Sequence, residues 1–261
     1  MSFSTHREVE RKLRVHGLFD LPDLAALDLA DSVRHHEPYV MRAVYHDTDS
    51  LALFRWGVTL RRREGGSDEG WHMKLPVAGA DGSARDELRL PLDAGPVGSV
   101  PSALVEVVAA LLREQPLRPV VTLSTERTKA VLLDAEGREL VELVDDTVSV
   151  LRDERIVSVF RELEVEAVDA DDPDAIALLS TVVDALVALG AEPSTLSKAA
   201  AALGPRTAEP PDVPAWPLPG PDGLAVDALR SVLSEHVRHL LLADVGVRRD
   251  LPDAVHQMRV A

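Results

Sequence analysis

The chain contains no cysteine, which removes disulfides, thiolate zinc sites and a cysteine nucleophile together. Any metal it binds must sit on oxygen or imidazole. Aromatic residues make up only 3%, which weakens any pocket built on base or thiazole stacking. No uninterrupted apolar run reaches membrane-spanning length, and the opening MSFSTHREVERKLRV lacks the apolar core of a signal peptide. The expectation is therefore a cytoplasmic protein with no membrane partner. Positive charge is also short. A net charge of -16 argues against a general nucleic-acid binder, whose non-specific affinity needs a basic surface that displaces counterions. A phosphate ligand stays open, provided basic residues gather in a pocket while acids coat the outside.

Several familiar motifs are missing too. There is no G-x-S-x-G elbow for a hydrolytic triad and no G-x-x-x-x-G-K-[ST] loop for nucleotide phosphates. His35 and His36 are adjacent, so on a strand they point to opposite faces and cannot readily share one ion. The acidic run Asp169 to Asp174 lacks the glycine and terminal glutamate of a calcium loop. It reads as a loop leading into a helix N-cap, where the helix dipole favours acids.

What is present is a chain of 261 residues, 46% of them hydrophobic, enough to bury a sizeable core. From about residue 6 to 167 most segments alternate with period two between turn-forming residues, which predicts a mainly antiparallel sheet. Helical patterns run from Pro22 to Ala30, Pro101 to Glu114 and Pro173 to Leu189, each with proline near its start. Residues 205–221 hold seven prolines and read as a semi-rigid linker. Beyond them, Leu224 to Leu242 has helical spacing and Pro252 to Ala261 looks like the first turns of another helix. The expected organisation is a first domain over 1–204, a linker over 205–221 and the first helices of a second domain over 222–261.

The strands carry charge where a core would carry none. Glu8, Glu10, Lys12 and Arg14 share one parity of the first strand. Thr59, Arg61 and Arg63, then His72 and Lys74, then Arg85, Glu87 and Arg89 each share one parity of theirs. On a single strand such a pattern is ordinarily a solvated outer face. In Phe160 to Glu166, however, three glutamates stand on one face with Leu163 and Val165 on the other. Carboxylates roughly 7 Å apart along a strand repel unless water or a cation neutralises them. Acids beside bases on one sheet suit a metal-bound polyphosphate, since hard cations such as magnesium and manganese take carboxylate and phosphate oxygens.

At this point the chain resembles the CYTH superfamily, the triphosphate tunnel metalloenzymes. The opening Glu8-x-Glu10-x-Lys12 looks like that family's signature. The later elements follow in order: Tyr45-His46-Asp47-Thr48, Leu60-Arg61-Arg62-Arg63, Lys74 before Pro76, Arg85-x-Glu87, Arg127, Asp145-Asp146, Glu162-x-Glu164-x-Glu166 and Ser197-Lys198. The resemblance covers residues 6 to about 204. It implies an α+β fold, a closed or nearly closed antiparallel barrel of about eight strands with flanking helices, and a tunnel lined by the charged parity. It also implies Glu8, Glu10, Glu162 and Glu164 as metal ligands for Mg2+ or Mn2+, with Glu166 a further candidate. The family aspartate falls on Asp145 or Asp146; Asp146 is chosen because it shares parity with Glu142. The implied phosphate-gripping set is Lys12, Arg61, Arg63, Lys74, Arg85, Arg127 and Lys198, with Arg61, Arg63 and Lys74 also catalytic. Departures are His72-Met73-Lys74-Leu75-Pro76, where many members have Thr-Leu-Lys-Gly-Pro, and Arg89, where an acid often follows. Both bear on substrate preference more than on fold.

His256-Gln257-Met258-Arg259-Val260-Ala261 resembles the start of a CHAD domain, a helical module associated with polyphosphate. The function implied is metal-dependent hydrolysis of inorganic triphosphate, or of a short polyphosphate, to diphosphate and phosphate. Alternatives within the superfamily are adenylate cyclase, thiamine triphosphatase and RNA triphosphatase activity. Outside it stands a non-catalytic polyphosphate-binding module, against which the intact carboxylate set argues. The sequence leaves the oligomeric state open.

Overall fold

The computed structural model describes residues 4–27, 29–66, 68–76, 84–96 and 98–261. Its strands are β1 (Ser4–Val15), β2 (Ser32–His35), β3 (Tyr39–Asp47), β4 (Thr59–Glu64), β5 (Gly70–Pro76), β6 (Ala84–Leu90), β7 (Arg118–Leu133), β8 (Glu139–Arg152), β9 (Arg155–Ala167) and β10 (Glu192–Ser194). Its helices are α1 (Ala52–Arg55), α2 (Ser102–Val107), α3 (Ala109–Leu112), α4 (Pro173–Ala188), α5 (Lys198–Leu203), α6 (Ala225–Arg248) and α7 (Ala254–Val260).

All the strands belong to one antiparallel sheet, and β1 joins its ends. The first half of β1 pairs with β6, from Ser4 opposite Arg89 to Val9 opposite Ala84. Its second half pairs with β9, from Glu10 opposite Glu166 to Val15 opposite Arg161. Eight strands therefore run in the circuit β1-β6-β5-β4-β3-β7-β8-β9, and the sheet wraps into a tunnel. The short strands β2 and β10 add to β7 and β1. The architecture expected from sequence is present, with ten strands in the sheet and eight in the circuit.

Alternation sends the apolar parity outward. On β9, Leu163, Val165 and Ala167 are buried beneath α4, which lays Ala175, Leu179, Val182 and Leu186 across them and across Leu13 and Leu143. That spacing is one face of a helix, and each leucine so buried contributes about 1.5–3 kcal/mol. The acidic run does cap α4: Asp172 accepts from the Asp174 backbone N–H at 2.9 Å, with Pro173 in the first turn. A second apolar layer puts Leu60, Met73, Leu75, Leu88 and Leu90 under α2 and α3. The helix expected over Pro101 to Glu114 breaks into two at Val108, whose φ of -109° and ψ of 17° are not helical. The one expected over Pro22 to Ala30 is a single 3-10 turn, Leu24–Leu27, with Leu24 buried.

The Pro-rich segment is strapped to the tunnel wall. Asp212 accepts from Trp56 Nε1 at 3.3 Å and pairs with Arg113 at 3.1 Å. Arg238 and Ser231 of α6 donate to the carbonyls of Val213 and Trp216 at 2.7 and 2.8 Å. Helix α6 buries Val245 against the layer under α2 and α3, and the adjoining Arg249 reaches Asp86 of β6 at 2.8 Å. Among the described residues no helix is long and apolar enough to cross a membrane.

At the end of β3, Asp47 is fully buried and accepts backbone N–H bonds from Thr48, Leu53 and Phe54 at 2.6, 2.9 and 2.9 Å. It thereby holds α1 against the sheet. Asp47→Ala leaves those donors buried and unmet, so a loss of about 2–4 kcal/mol is expected. That should read as a melting temperature lower by roughly 5–15 °C, with Asp47→Asn intermediate. An unchanged melting temperature for Asp47→Ala would refute the capping role.

Candidate active site

The tunnel holds a cavity of about 280 Å³, at the small end of ligand sites. Among the described residues its lining has nine basic side chains, Lys12, Arg61, Arg63, Lys74, Arg85, Arg89, Arg127, Lys129 and Lys198. Six acidic ones face them: Glu10, Asp68, Glu139, Glu142, Glu164 and Glu166. The lining thus carries a surplus of three positive charges inside a chain whose net charge is -16. All seven residues expected to grip phosphate are in it. Of the expected metal ligands, Glu10 and Glu164 line the cavity, whereas Asp146 and Glu162 lie buried behind its wall. Glu8 stands opposite Arg85 in the β1–β6 register, and its side chain lies outside the described residues.

The basic wall is built by register. Tyr45 of β3 faces Arg61 of β4, which faces His72 of β5; Arg61 Nη1 donates to the Tyr45 hydroxyl at 3.4 Å. Arg63 is 4% exposed and pairs with Asp68, yet its Nε is buried without an acceptor. Burial, with repulsion from Arg61 and Arg127, pulls the Arg63 pKa down to about 9. The guanidinium stays charged at neutral pH, held by Asp68, and a further anion beside it would offset the repulsion from Arg61 and Arg127. Arg85 is steadied by donating to the Gly57 carbonyl at 3.0 Å, and Lys74 stands 3.9 Å from Glu10.

On the acidic wall the sequence suggested repulsion that a bound cation would relieve, and the structure corrects this: the chain supplies its own cations. Lys198, at the start of α5, places its Nζ 2.9 Å from Asp146, 2.7 Å from Glu162 and 2.8 Å from Glu164. Arg127 pairs with Asp146 at 2.6 Å and Glu164 at 3.2 Å, and Lys12 bridges Glu164 and Glu10. Burial pushes the Glu164 carboxyl up, but Lys12, Lys198 and Arg127 more than offset it and hold it well below the usual range. Glu10 and Asp146 are lowered the same way, against burial, by Lys12 with Lys74 and by Lys198 with Arg127. Glu162 differs. Burial keeps it raised even though the Lys198 ammonium stands 2.7 Å from its Oε1 and pulls the other way.

The neighbouring aspartates divide by parity. Asp146 lies with Arg127 and Lys198, while Asp145 pairs with Arg161, which also donates to the Phe19 carbonyl at 2.7 Å. Among the described residues no set of three acids or histidines stands open to a metal ion; the three carboxylates that converge do so on Lys198. Sequence reasoning missed Lys129, Tyr39, Asp68 and Thr195 in the lining. Lys129 was findable, two residues beyond Arg127 on one parity of β7. The others sit at strand ends or turns, where alternation gives no direction.

A charged antiparallel tunnel with apolar outer faces is a recognised class of fold. This chain belongs to it by family: residues 6–185 match the CYTH domain. An uncharacterised protein of Mycobacterium tuberculosis is 38% identical over 267 residues, covering 98% of this chain and 50% of that protein. The chain thus spans about half the length of the curated relatives it matches. A candidate adenylate cyclase from Bacillus halodurans has a similar structure, with 19% identity, a TM-score of 0.46 and coverage of 74% of this chain and 96% of that one. A Hippeastrum protein described as having a dominant triphosphatase activity shares 16% identity at a TM-score of 0.39, over 75% and 94% of the two chains. Likenesses so distant carry no argument about activity, and membership rests on the family match and the mycobacterial relative.

Because Glu164, Glu10 and Asp146 are held below their ordinary pKa values, 4.5 for Glu and 3.8 for Asp, their stabilisation is complete above those values. It is lost as pH falls through the lower folded ones. Glu164→Gln should cost about 3–5 kcal/mol at neutral pH, since it leaves buried cations short of a partner, and should flatten the loss of stability in acid. Thermal melts of both proteins from neutral pH into the acid range check this. Equal melting temperatures at neutral pH would show that Glu164 does not hold the cluster.

Proposed function

We propose that this chain hydrolyses inorganic triphosphate, or a comparably short polyphosphate, to diphosphate and phosphate with a divalent cation. The observation that carries the reading is the gathering of nine basic side chains in the tunnel of a strongly acidic protein, set against a wall of converging carboxylates. Arginine forks take phosphate oxygens in pairs and lysines act as point charges. Lys12, Arg85, Arg127 and Lys198 bind the chain of phosphates, and Arg61, Arg63 and Lys74 meet the charge that develops as the phosphoryl group moves. The nucleophile is water.

The acidic wall has the donor chemistry of magnesium or manganese, since its donors are all carboxylate oxygens, which suit a hard cation. Lys198 now stands where three of them converge, so an ion there would take over part of that ammonium's place. Glu8, Glu10, Asp146, Glu162 and Glu164 are the residues that would hold the ion, which would supply charge neutralisation and a template for the phosphates. We infer as well that residues 222–261 are the leading helices of a CHAD domain. Helix α6 keeps Leu229, Leu233, Val237 and Leu240 exposed along one face, the stripe a helical bundle buries.

The test is phosphate release from triphosphate, ATP, thiamine triphosphate and long-chain polyphosphate, with magnesium or manganese and with chelator. Triphosphate should turn over fastest, long chains poorly, and chelator should stop the reaction. Arg61→Ala and Arg63→Ala should each lower kcat by about 100-fold or more, a larger change than in KM, as loss of transition-state contacts requires. Preferential turnover of ATP or thiamine triphosphate would replace the inorganic substrate, and tight binding without turnover would make the tunnel a binding module.

A further inference from the structure

We propose that His72 is a positioning residue for this site: it ties the β4–β5 turn, which carries Asp68, to the buried carboxylate of Glu87, and so sets the stance of Arg61, Arg63 and Arg89. The inference rests on the polyphosphate reading and goes beyond it, because His72 stands behind the lining rather than in it.

Register places His72 between Arg61 on β4 and Arg89 on β6, and its side chain is 1% exposed. Its two ring nitrogens reach opposite ways. Nδ1 lies 3.0 Å from Glu87 Oε1, and Nε2 lies 2.8 Å from the main-chain carbonyl oxygen of Asp68. Glu87, equally buried, pairs with Arg89 through its other oxygen and stands 3.9 Å from Arg61. The Asp68 carboxylate pairs with Arg63. One imidazole therefore spans from the acid that fixes two arginines to the residue that fixes a third.

The ring's chemistry makes the span specific. Nitrogens on opposite edges can serve two separated acceptors, whereas an apolar side chain of similar size would fill the space and leave both acceptors buried and unmet. Arg61 and Arg63 face the ring from β4, Glu87 and Arg89 from β6, Asp68 from the turn, and Lys74 follows two residues along its own strand. Both direct partners accept, so the span is complete only with two protons on the ring. Burial opposes the second proton, and with Arg61 and Arg63 repelling it outweighs the pull of Glu87, bringing the pKa down to about 4 in the free chain. The neutral ring therefore donates to one of the two contacts at a time, and phosphate charge beside those arginines weakens the repulsion that opposes the second proton.

The experiment compares wild type, His72→Leu, His72→Gln, Asp68→Ala and the His72→Leu/Asp68→Ala double variant. Calorimetry with inorganic triphosphate in chelator reads binding, and phosphate release with manganese reads kcat and KM. His72→Leu should lose roughly 10- to 100-fold in kcat/KM, the scale of a misplaced catalytic group. His72→Gln, whose amide nitrogen carries two N–H donors, should recover most of that loss. Asp68→Ala should lose less, and the double variant should be no worse than His72→Leu, because the two changes break successive contacts of one chain running from Glu87 through His72 and Asp68 to Arg63. Turnover by His72→Leu within twofold of wild type, or losses that add in the double variant, would overturn the proposal. If His72→Leu does not fold, Asp68→Ala and His72→Gln decide it: a fully active Asp68→Ala breaks the link to Arg63. Wild type that fails to bind triphosphate at all would instead defeat the functional reading itself.

Discussion

A carboxylate taken out of water has to be given back its partners, and Glu164 is given three: Lys12 from β1, Arg127 from β7 and Lys198 from α5. The desolvation of each such ion costs several kcal/mol, which only close and well-directed pairing offsets. That requirement reaches through the fold. The Lys12 contact needs β1 beside β9, the pairing that joins the ends of the sheet. Arg127 needs β7 two strands away across β8, and Lys198 needs α5 docked against the tunnel. Pairing inside and apolar cover outside are one constraint seen from two faces of the same strands.

Alternation put charge on one parity of the strands, and the resemblance to the CYTH superfamily turned that parity into the expected lining of a tunnel. From Glu162 to Glu166 on β9 the period of two assigns the three glutamates to one side and Leu163 and Val165 to the other. Helix α4 was equally readable, since the acidic run before Pro173 has a local capping reason and the apolar residues after it keep helical spacing. What alternation cannot show is which charges meet. Lys198 lies 34 residues beyond Glu164 in sequence, so its part in neutralising the acids is a fact of docking. The expectation of unrelieved repulsion failed because it counted like charges along one strand and not opposite charges across several.

The same limit explains the other omissions. Val108 splits a segment whose composition is helical throughout, and the split lets two short helices follow the curved wall over Leu60, Met73 and Leu88. Prolines in residues 205–221 announced a segment that continues neither a helix nor a central strand, and it opens with a 3-10 turn, Pro205–Ala208. Its docking depends on single partners such as Trp56 and Asp212, which no local pattern marks. Gly65, with φ of 83°, is needed because a side chain there would strike the Val40 carbonyl at 2.7 Å. A sequence announces a turn at that position without revealing what the turn carries. Here it carries Asp68, and through Asp68 the stance of Arg63.

Two buried groups of the site, one on the cavity lining and one behind it, are pressed away from their charged forms. Burial and neighbouring arginines press Arg63 toward losing its charge, and burial presses Glu162 toward keeping its proton. They belong to opposite walls and carry opposite charges. A phosphate chain near the first and a cation near the second would add to the partners these groups already have, Asp68 and Lys198, and together would bring less uncompensated charge to the cavity than either alone. Groups held away from their preferred ionisation concentrate at functional sites for this reason. The chain's stability would rise with a ligand that brings both signs of charge together, and a metal-bound polyphosphate is a ligand of that kind.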